Sequence, residues 1–306
     1  MLKLSVEMVG NKFKRGFTFI ELILVLGITG ALITAMLVGI GSSVARQRYK
    51  DSVYNTSEIL QNVFSEVRNT QNDRDGKLQC SFNPDGTVRV SRLTSPEGAG
   101  RSQQCLVYGK LVEFKTGTGD YKGTIITTSS VIGKDVYTLN TNGGIAGIGC
   151  DLSGGDLEAL KCAGLHREME PVGASSTLAA IPAKETLIAW QPTLHTLNGN
   201  TINKNENGAG NTKVTILVVR GPISGAILTF VDIGGDFSSL TYQNEIKAML
   251  TSGNLTRKDA CFFVNSPDEF FAGGRRAVKL NPNARNASAV ELVDRDVASE
   301  AAKCSP

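Results

Sequence analysis

The sequence predicts an α+β protein. A long N-terminal α-helix, hydrophobic in its first half and amphipathic in its second, packs on a mostly antiparallel, β-rich head. Three observations carry this reading. The chain is uncharged from Leu22 to Ala45, longer than the run of about 18 apolar residues that crosses a hydrocarbon layer of roughly 30 Å as a helix. From Arg46 onward Tyr49, Val53, Leu60, Val63, Phe64 and Val67 recur three, four or seven apart with polar residues between them, the period of a helix with one buried stripe. Beyond Gly76 the pattern changes to short alternating segments punctuated by Gly and Asn, as strands and turns require.

At the N-terminal end, Lys14, Arg15 and Gly16 stand directly before Phe17, and one charge, Glu21, interrupts the start of the apolar run. An acidic side chain near the lipid end of a spanning helix is costly enough to need a partner, which makes Glu21 a functional candidate. A secretory signal peptide has an apolar core of about 7–15 residues. This core is longer, and Gly39-Ile40-Gly41-Ser42-Ser43-Val44-Ala45 imitates a cleavage site only loosely. An ordinary single-pass anchor explains the length but not a glutamate beside the Gly–Phe junction.

Gly16 followed by Phe17-Thr18-Phe19-Ile20-Glu21, with a short basic leader before it and a long apolar helix after it, resembles the class III signal of type IV pilins and type II secretion pseudopilins. The resemblance covers residues 1–70. It implies a pilin-like fold with a leader at 1–16, a helix at 17–70 that serves first as membrane and filament core and then as shaft, and an extracytoplasmic head at 71–306. It further implies that a prepilin peptidase cuts after Gly16, that Phe17 becomes an N-methylated terminus, and that Glu21 neutralises the terminal amine of the neighbouring subunit. The implied partners are other pilin or pseudopilin subunits, the peptidase and an inner-membrane assembly platform. The implied location is the cytoplasmic membrane, single-pass with the head outside, and then an extracellular filament or periplasmic pseudopilus. Many type IV pilins carry a helix-kinking proline about twenty residues into the mature chain. Here that region reads Leu37-Val38-Gly39-Ile40-Gly41, which leaves pilus and pseudopilus both open.

Of the 306 residues, those after 70 suffice for one large domain or two small ones. The net charge of +3 names no partner. Lys3, Lys12, Lys14 and Arg15 before the apolar run, against Arg46, Arg48 and Lys50 after it, favour a cytoplasmic amino terminus by a small margin. All six cysteines, Cys80, Cys105, Cys150, Cys162, Cys261 and Cys304, follow the apolar run. An even count on the outer side reads as disulfides, with fifteen connectivities. Nearest-neighbour pairing is expected: Cys80–Cys105, Cys150–Cys162 and Cys261–Cys304, the last resembling the disulfide-bounded region near the C-terminus of many pilins. His166 and His195 are the only histidines and fit no zinc spacing.

In order along the head, strands are expected at Leu78–Phe82, Val88–Arg92, Cys105–Tyr108, Leu111–Lys115, Thr124–Thr128, Val136–Leu139, Glu185–Trp190, Val214–Val219, Ile227–Val231, Cys261–Val264, Val278–Leu280 and Ala289–Val293. Asn72–Gly76 ends the long helix after Asn69, and Asn83-Pro84-Asp85-Gly86 makes a hairpin of the first two strands. Short helices are expected at Asp156–Ala163 and Tyr242–Leu250, and the Asn/Gly-rich segment Asn198–Asn211 is the candidate boundary if the head divides in two. The glycines at 27, 30, 39 and 41 are read as helix-packing sites.

No catalytic constellation, cofactor motif or metal set emerges, so the chain is not expected to be an enzyme. The lone Trp190 is expected in the core. Asp151, Asp156 and Glu158 depart from calcium-loop spacing and read as a solvated acidic loop. Arg275, Arg276, Lys279 and Arg285 are the candidate DNA contacts, since a groove of basic side chains holds phosphates without reading sequence. Some minor pilins that bind DNA use arginines in a C-terminal stretch, a similarity in outline only. Such a run is more often a solvated face. The leading expectation is a minor or specialised filament subunit. The alternative is a filament-exposed binding module, a DNA-uptake receptor or adhesin.

Overall fold

In the computed structural model, residues 18–69, 78–82, 88–92, 105–134, 152–171, 178–180, 182–196, 200–203, 211–233, 242–251, 260–266, 276–281, 286–294 and 304 are described. Gly16, Phe17, the two turns at 72–76 and 83–86, the strand expected at 136–139, Cys150, Asp151, Arg275 and Arg285 lie outside them. The chain falls into two compact units, Met1–Val44 and Ala45–Pro306.

Helix α1 runs from Phe19 to Arg68. Its stretch in the first unit is bare, with none of its most apolar window buried. It is the one helix among the described residues long and apolar enough to cross a membrane. No heavy atom lies within 4 Å of the Cβ position at Gly27, Gly30, Gly39 or Gly41, so no described part of this chain packs on them.

In the second unit α1 buries one stripe: Ala45, Tyr49, Ser52, Val53, Thr56, Ser57, Ile59, Leu60, Val63, Phe64 and Val67. The stripe follows the helical period expected from the sequence. Its buried hydroxyls bond back to the helix, Ser52 to the Tyr49 carbonyl at 2.7 Å and Thr56 to that of Ser52 at 2.8 Å, so that they bring no unpaired donor into the core. Tyr49 locks the helix to the head. Its hydroxyl donates to the Val264 carbonyl at 3.2 Å and accepts the Arg276 N–H at 2.7 Å.

In chain order the strands are β1 (Leu78–Phe82), β2 (Val88–Arg92), β3 (Cys105–Thr116), β4 (Thr124–Lys134), β5 (His166–Arg167), β6 (Met169–Pro171), β7 (Leu178–Ala180), β8 (Lys184–Leu187), β9 (Thr193–His195), β10 (Thr201–Ile202), β11 (Asn211–Thr212), β12 (Val214–Arg220), β13 (Ile227–Ile233), β14 (Ala260–Asn265), β15 (Arg276–Leu280) and β16 (Val290–Asp294). Helices α2 (Asp156–Cys162) and α3 (Tyr242–Thr251) complete the set. Of the two six-stranded sheets among the described residues, the first has the order β13-β12-β3-β4-β5 with β8 also on β4, and the second β11-β10-β9-β14-β15-β16, while β1-β2 and β6-β7 are two-stranded sheets. Every pairing but β10 with β11 is antiparallel among the described strands. The fold is thus α+β, a long N-terminal helix with an antiparallel-rich head.

One core joins α1 to both sheets. Val112, Phe114, Ile126, Ile216 and Val218 of the first sheet meet Leu194, Phe262, Val264 and Val278 of the second, together with Tyr49, Leu60 and Phe64 of α1. The rings of Phe114 and Phe262 touch between the sheets, centroids 5.4 Å apart. The alternate residues Leu111, Leu217, Val219 and Phe230 face away, under Leu160 of α2 and Ile246 and Met249 of α3. A strand covered on both faces reads as a continuous apolar run, and β12, buried from Val214 to Val219, is such a strand. The core is continuous across both sheets, and residues 45–306 form one compact unit.

Cys80 is bonded to Cys105, and Cys261 to Cys304. Cys162 is also disulfide-bonded. The first bond ties β1 to β3 over Ile132, and the second pins the C-terminal segment to β14 beside Phe263 and Ala277.

Candidate functional site

The start of α1 is a built helix cap. Thr18 Oγ1 accepts the Glu21 N–H at 3.3 Å, and the Thr18 carbonyl accepts the Leu22 N–H at 3.1 Å. Thr18 and Glu21 therefore stand at the N-cap and third positions of a capping-box pattern, with an acidic residue in the first turn where the helix dipole favours one. Glu21 is exposed and makes no ion pair among the described residues. A cap accounts for a glutamate here in water, but not for one at the edge of a lipid-spanning run.

The basic cluster lies partly within the described residues. Of its four members Arg276 and Lys279 are described, both on β15. Arg276 is half-buried, with its N–H given to Tyr49, and Lys279 is 7 % exposed. Glu291 stands directly across from Lys279 on β16 and accepts the Asn281 side-chain amide at 2.6 Å. These two residues do not form the exposed basic groove expected of a DNA contact. The histidines are fitted into the head, His166 buried and His195 within 3.1 Å of the Thr193 hydroxyl and 3.3 Å of the Asn265 amide. No described group of three or more His, Cys, Asp or Glu side chains is placed to hold a metal ion.

The acidic loop has a structural use. Asp156, at the start of α2, reaches the turn between β12 and β13. It accepts the Ile223 N–H at 2.7 Å and the Ser224 N–H at 3.0 Å, as well as the Ser224 hydroxyl. Glu158 pairs instead with Lys161, one helical turn on. Gly221 makes room for this clamp, since a Cβ there would sit 2.3 Å from the Asp156 carboxyl carbon. Burial pushes the Asp156 carboxyl up, but the hydrogen bonds from Ser224 and Ile223 outweigh it and hold the group below its ordinary value of 3.8. A depressed carboxylate adds stability that is complete above the unfolded-state value and lost as pH falls through the folded one. Asp156→Ala should therefore cost about 1 kcal/mol at neutral pH, below the roughly 1.5–3 kcal/mol of charged hydrogen bonds because the site is open to water. Urea midpoints of the full chain in detergent should converge with wild type below pH 3.8. A gap that does not change with pH would show that the charge contributes nothing.

Two features had no sequence signal. The first is an ion pair inside the first sheet, Arg167 Nη1 to Glu113 Oε2 at 2.7 Å, with side chains 6 % and 2 % exposed. The second is the loop carrying Trp190, which is 51 % exposed instead of in the core. Trp190 and Gln191 have φ of 67° and 53°, the left-handed region that side chains larger than Gly enter at a cost. The loop is held there from both sides. The Ala189 N–H bonds Asn55 Oδ1 of α1 at 2.9 Å, and the Lys122 N–H bonds Gln191 Oε1 at 3.1 Å. The Tyr121 hydroxyl donates to the Ile188 carbonyl at 2.8 Å and accepts the Ile188 N–H at 2.9 Å, and burial raises its pKa against the lowering effect of that N–H. Outside the loop, the Trp190 ring lies 4.9 Å from the Arg48 guanidinium.

Family models, curated proteins and solved structures were all compared with this chain, and none matches it.

Proposed function

We propose that this chain is a minor or specialised subunit of the pilin or pseudopilin kind, cut after Gly16 and built through its N-terminal helix into a pilus or pseudopilus. The observation that carries the reading is the join of two unlike halves in one helix. The sequence Gly16-Phe17-Thr18-Phe19-Ile20-Glu21 opens a helix whose first half is bare and apolar and whose second half is the packed spine of a disulfide-bonded head. Among the described residues nothing covers the most apolar window of the bare half, which fits a covering of lipid or neighbouring subunits. In this reading the helix first holds the subunit in the cytoplasmic membrane with the head outside. The four glycines then become contact points for other copies of the helix.

Mass spectrometry of the purified protein's terminus tests the proposal. The expected result is a chain that begins at a methylated Phe17, with only the longer form left when Gly16 is replaced by a bulky residue. A native terminus at Met1, or at any residue past Gly41, overturns it. A receptor function for the head gains no support from the half-buried Arg276 and buried Lys279.

A further inference from the structure

Trp190 is the only tryptophan in the chain, and the fold spends strained backbone to hold it out in solvent. We infer that Trp190 and Arg48 together form an interfacial anchor that docks this side of the head onto the phospholipid headgroup layer. This goes beyond the filament reading and needs only the membrane span.

The argument starts from chain distance. Arg48 follows Val44, the last residue of the bare apolar unit, by four positions. Four residues cover about 6 Å as helix and at most about 14 Å fully extended. The headgroup layer on each side of a bilayer is roughly 5–8 Å thick. Because α1 is continuous helix through Val44 and Arg48, Arg48 falls within the headgroup layer where Val44 marks the edge of the hydrocarbon, and Trp190, 4.9 Å from Arg48, falls there with it.

The chemistry fits that place. An indole has a flat apolar body and one N–H donor, so it settles where hydrocarbon gives way to headgroups. A guanidinium matches lipid phosphates in a planar, two-pronged geometry. Lying over the indole at 4.9 Å, within cation–π range, it still has N–H donors for a phosphate. Arg46 and Lys50, also exposed, add positive charge on the same helix, and Leu187, three residues before Trp190, is 55 % exposed. Asp51 is the nearby acid on the helix, and it is engaged by Gln47 Nε2 at 2.8 Å. The two-sided hold on residues 188–191 fixes the ring in place before it meets lipid, which lowers the ordering cost of docking.

The single tryptophan makes its own probe. The full chain is reconstituted into phosphatidylethanolamine–phosphatidylglycerol vesicles, with lipids brominated either near the headgroup or near the chain end. Emission should shift to shorter wavelength relative to detergent solution, lose intensity to the headgroup-proximal bromines more than to the deep ones, and lose its quenching by aqueous iodide. Arg48→Glu, which keeps the tryptophan and the fold of the loop, should restore iodide access. Full iodide quenching of the wild type in vesicles overturns the anchor. Protection that depends on protein concentration and not on brominated lipid assigns the patch to a second copy of the chain, and also overturns it. Unchanged protection in Arg48→Glu overturns the joint role of the two side chains.

Discussion

Glu113→Ala is expected to destabilise the head by about 3–5 kcal/mol, because it leaves the Arg167 charge buried without its counter-charge. Glu113 sits mid-strand on β3, between Thr127 of β4 and Thr215 of β12. By strand alternation it shares the face of Leu111, the face covered by α2 and α3. Water therefore cannot replace the lost carboxylate without opening that layer. Arg167→Ala should cost a similar amount for the converse reason. Replacing both together, Glu113→Leu with Arg167→Met, should return most of the stability, since a well-packed apolar pair of similar volume is often as good as a buried ion pair. Urea denaturation of the full chain in detergent measures all three. A single-variant loss below about 1 kcal/mol, the range of exposed pairs, would mean that the pair is solvated.

That ion pair also marks where the sequence stopped being informative. Glu113 and Arg167 are separated by more than fifty positions and belong to strands that never pair with each other, so only the sheet order brings them together. Local signals did better. The run at 214–219, apolar but for Thr215, and the helical stripe from Tyr49 to Val67 are both written in neighbouring residues, and both fold accordingly. Gly109 misled the reading of β3, which was expected as two strands. It is a single strand with an irregularity between Val107 and Gly109. Glycine there reflects close approach, since a Cβ would stand 2.0 Å from the Val218 carbonyl oxygen. Strands β9, β10 and β11 are two or three residues long, too short to show any period. Trp190, expected in the core from the sequence, is exposed. Its exposure is decided by Asn55, Tyr121 and Lys122, which bind the backbone and side chains around it from other elements.

Glu21→Ala should leave membrane insertion intact while sharply reducing recovery of the subunit in sheared filaments or pseudopilus preparations. Two roles compete for this side chain. As the third residue of a cap it helps to start α1, an effect of about 1 kcal/mol or less that a glutamine would also provide. As a carboxylate at the lipid edge it costs a few kcal/mol unless it is paired. In the proposed assembly, removal of the leader creates one new positive group close by, the amine on Phe17. With parallel helices staggered in a filament, the amine of one subunit meets Glu21 of the next. Such a pair 4 Å apart is worth about 4 kcal/mol at an effective dielectric of 20, against about 1 kcal/mol in water. Glu21→Gln separates the two roles, because it keeps the capping geometry and removes the charge. If pairing is what matters, the Gln and Ala variants should both insert and both fail to assemble. If capping is what matters, Gln should assemble like wild type and only Ala should fall. Wild-type recovery of both would remove the charge pair from the assembly mechanism and leave Glu21 as a helix-starting residue.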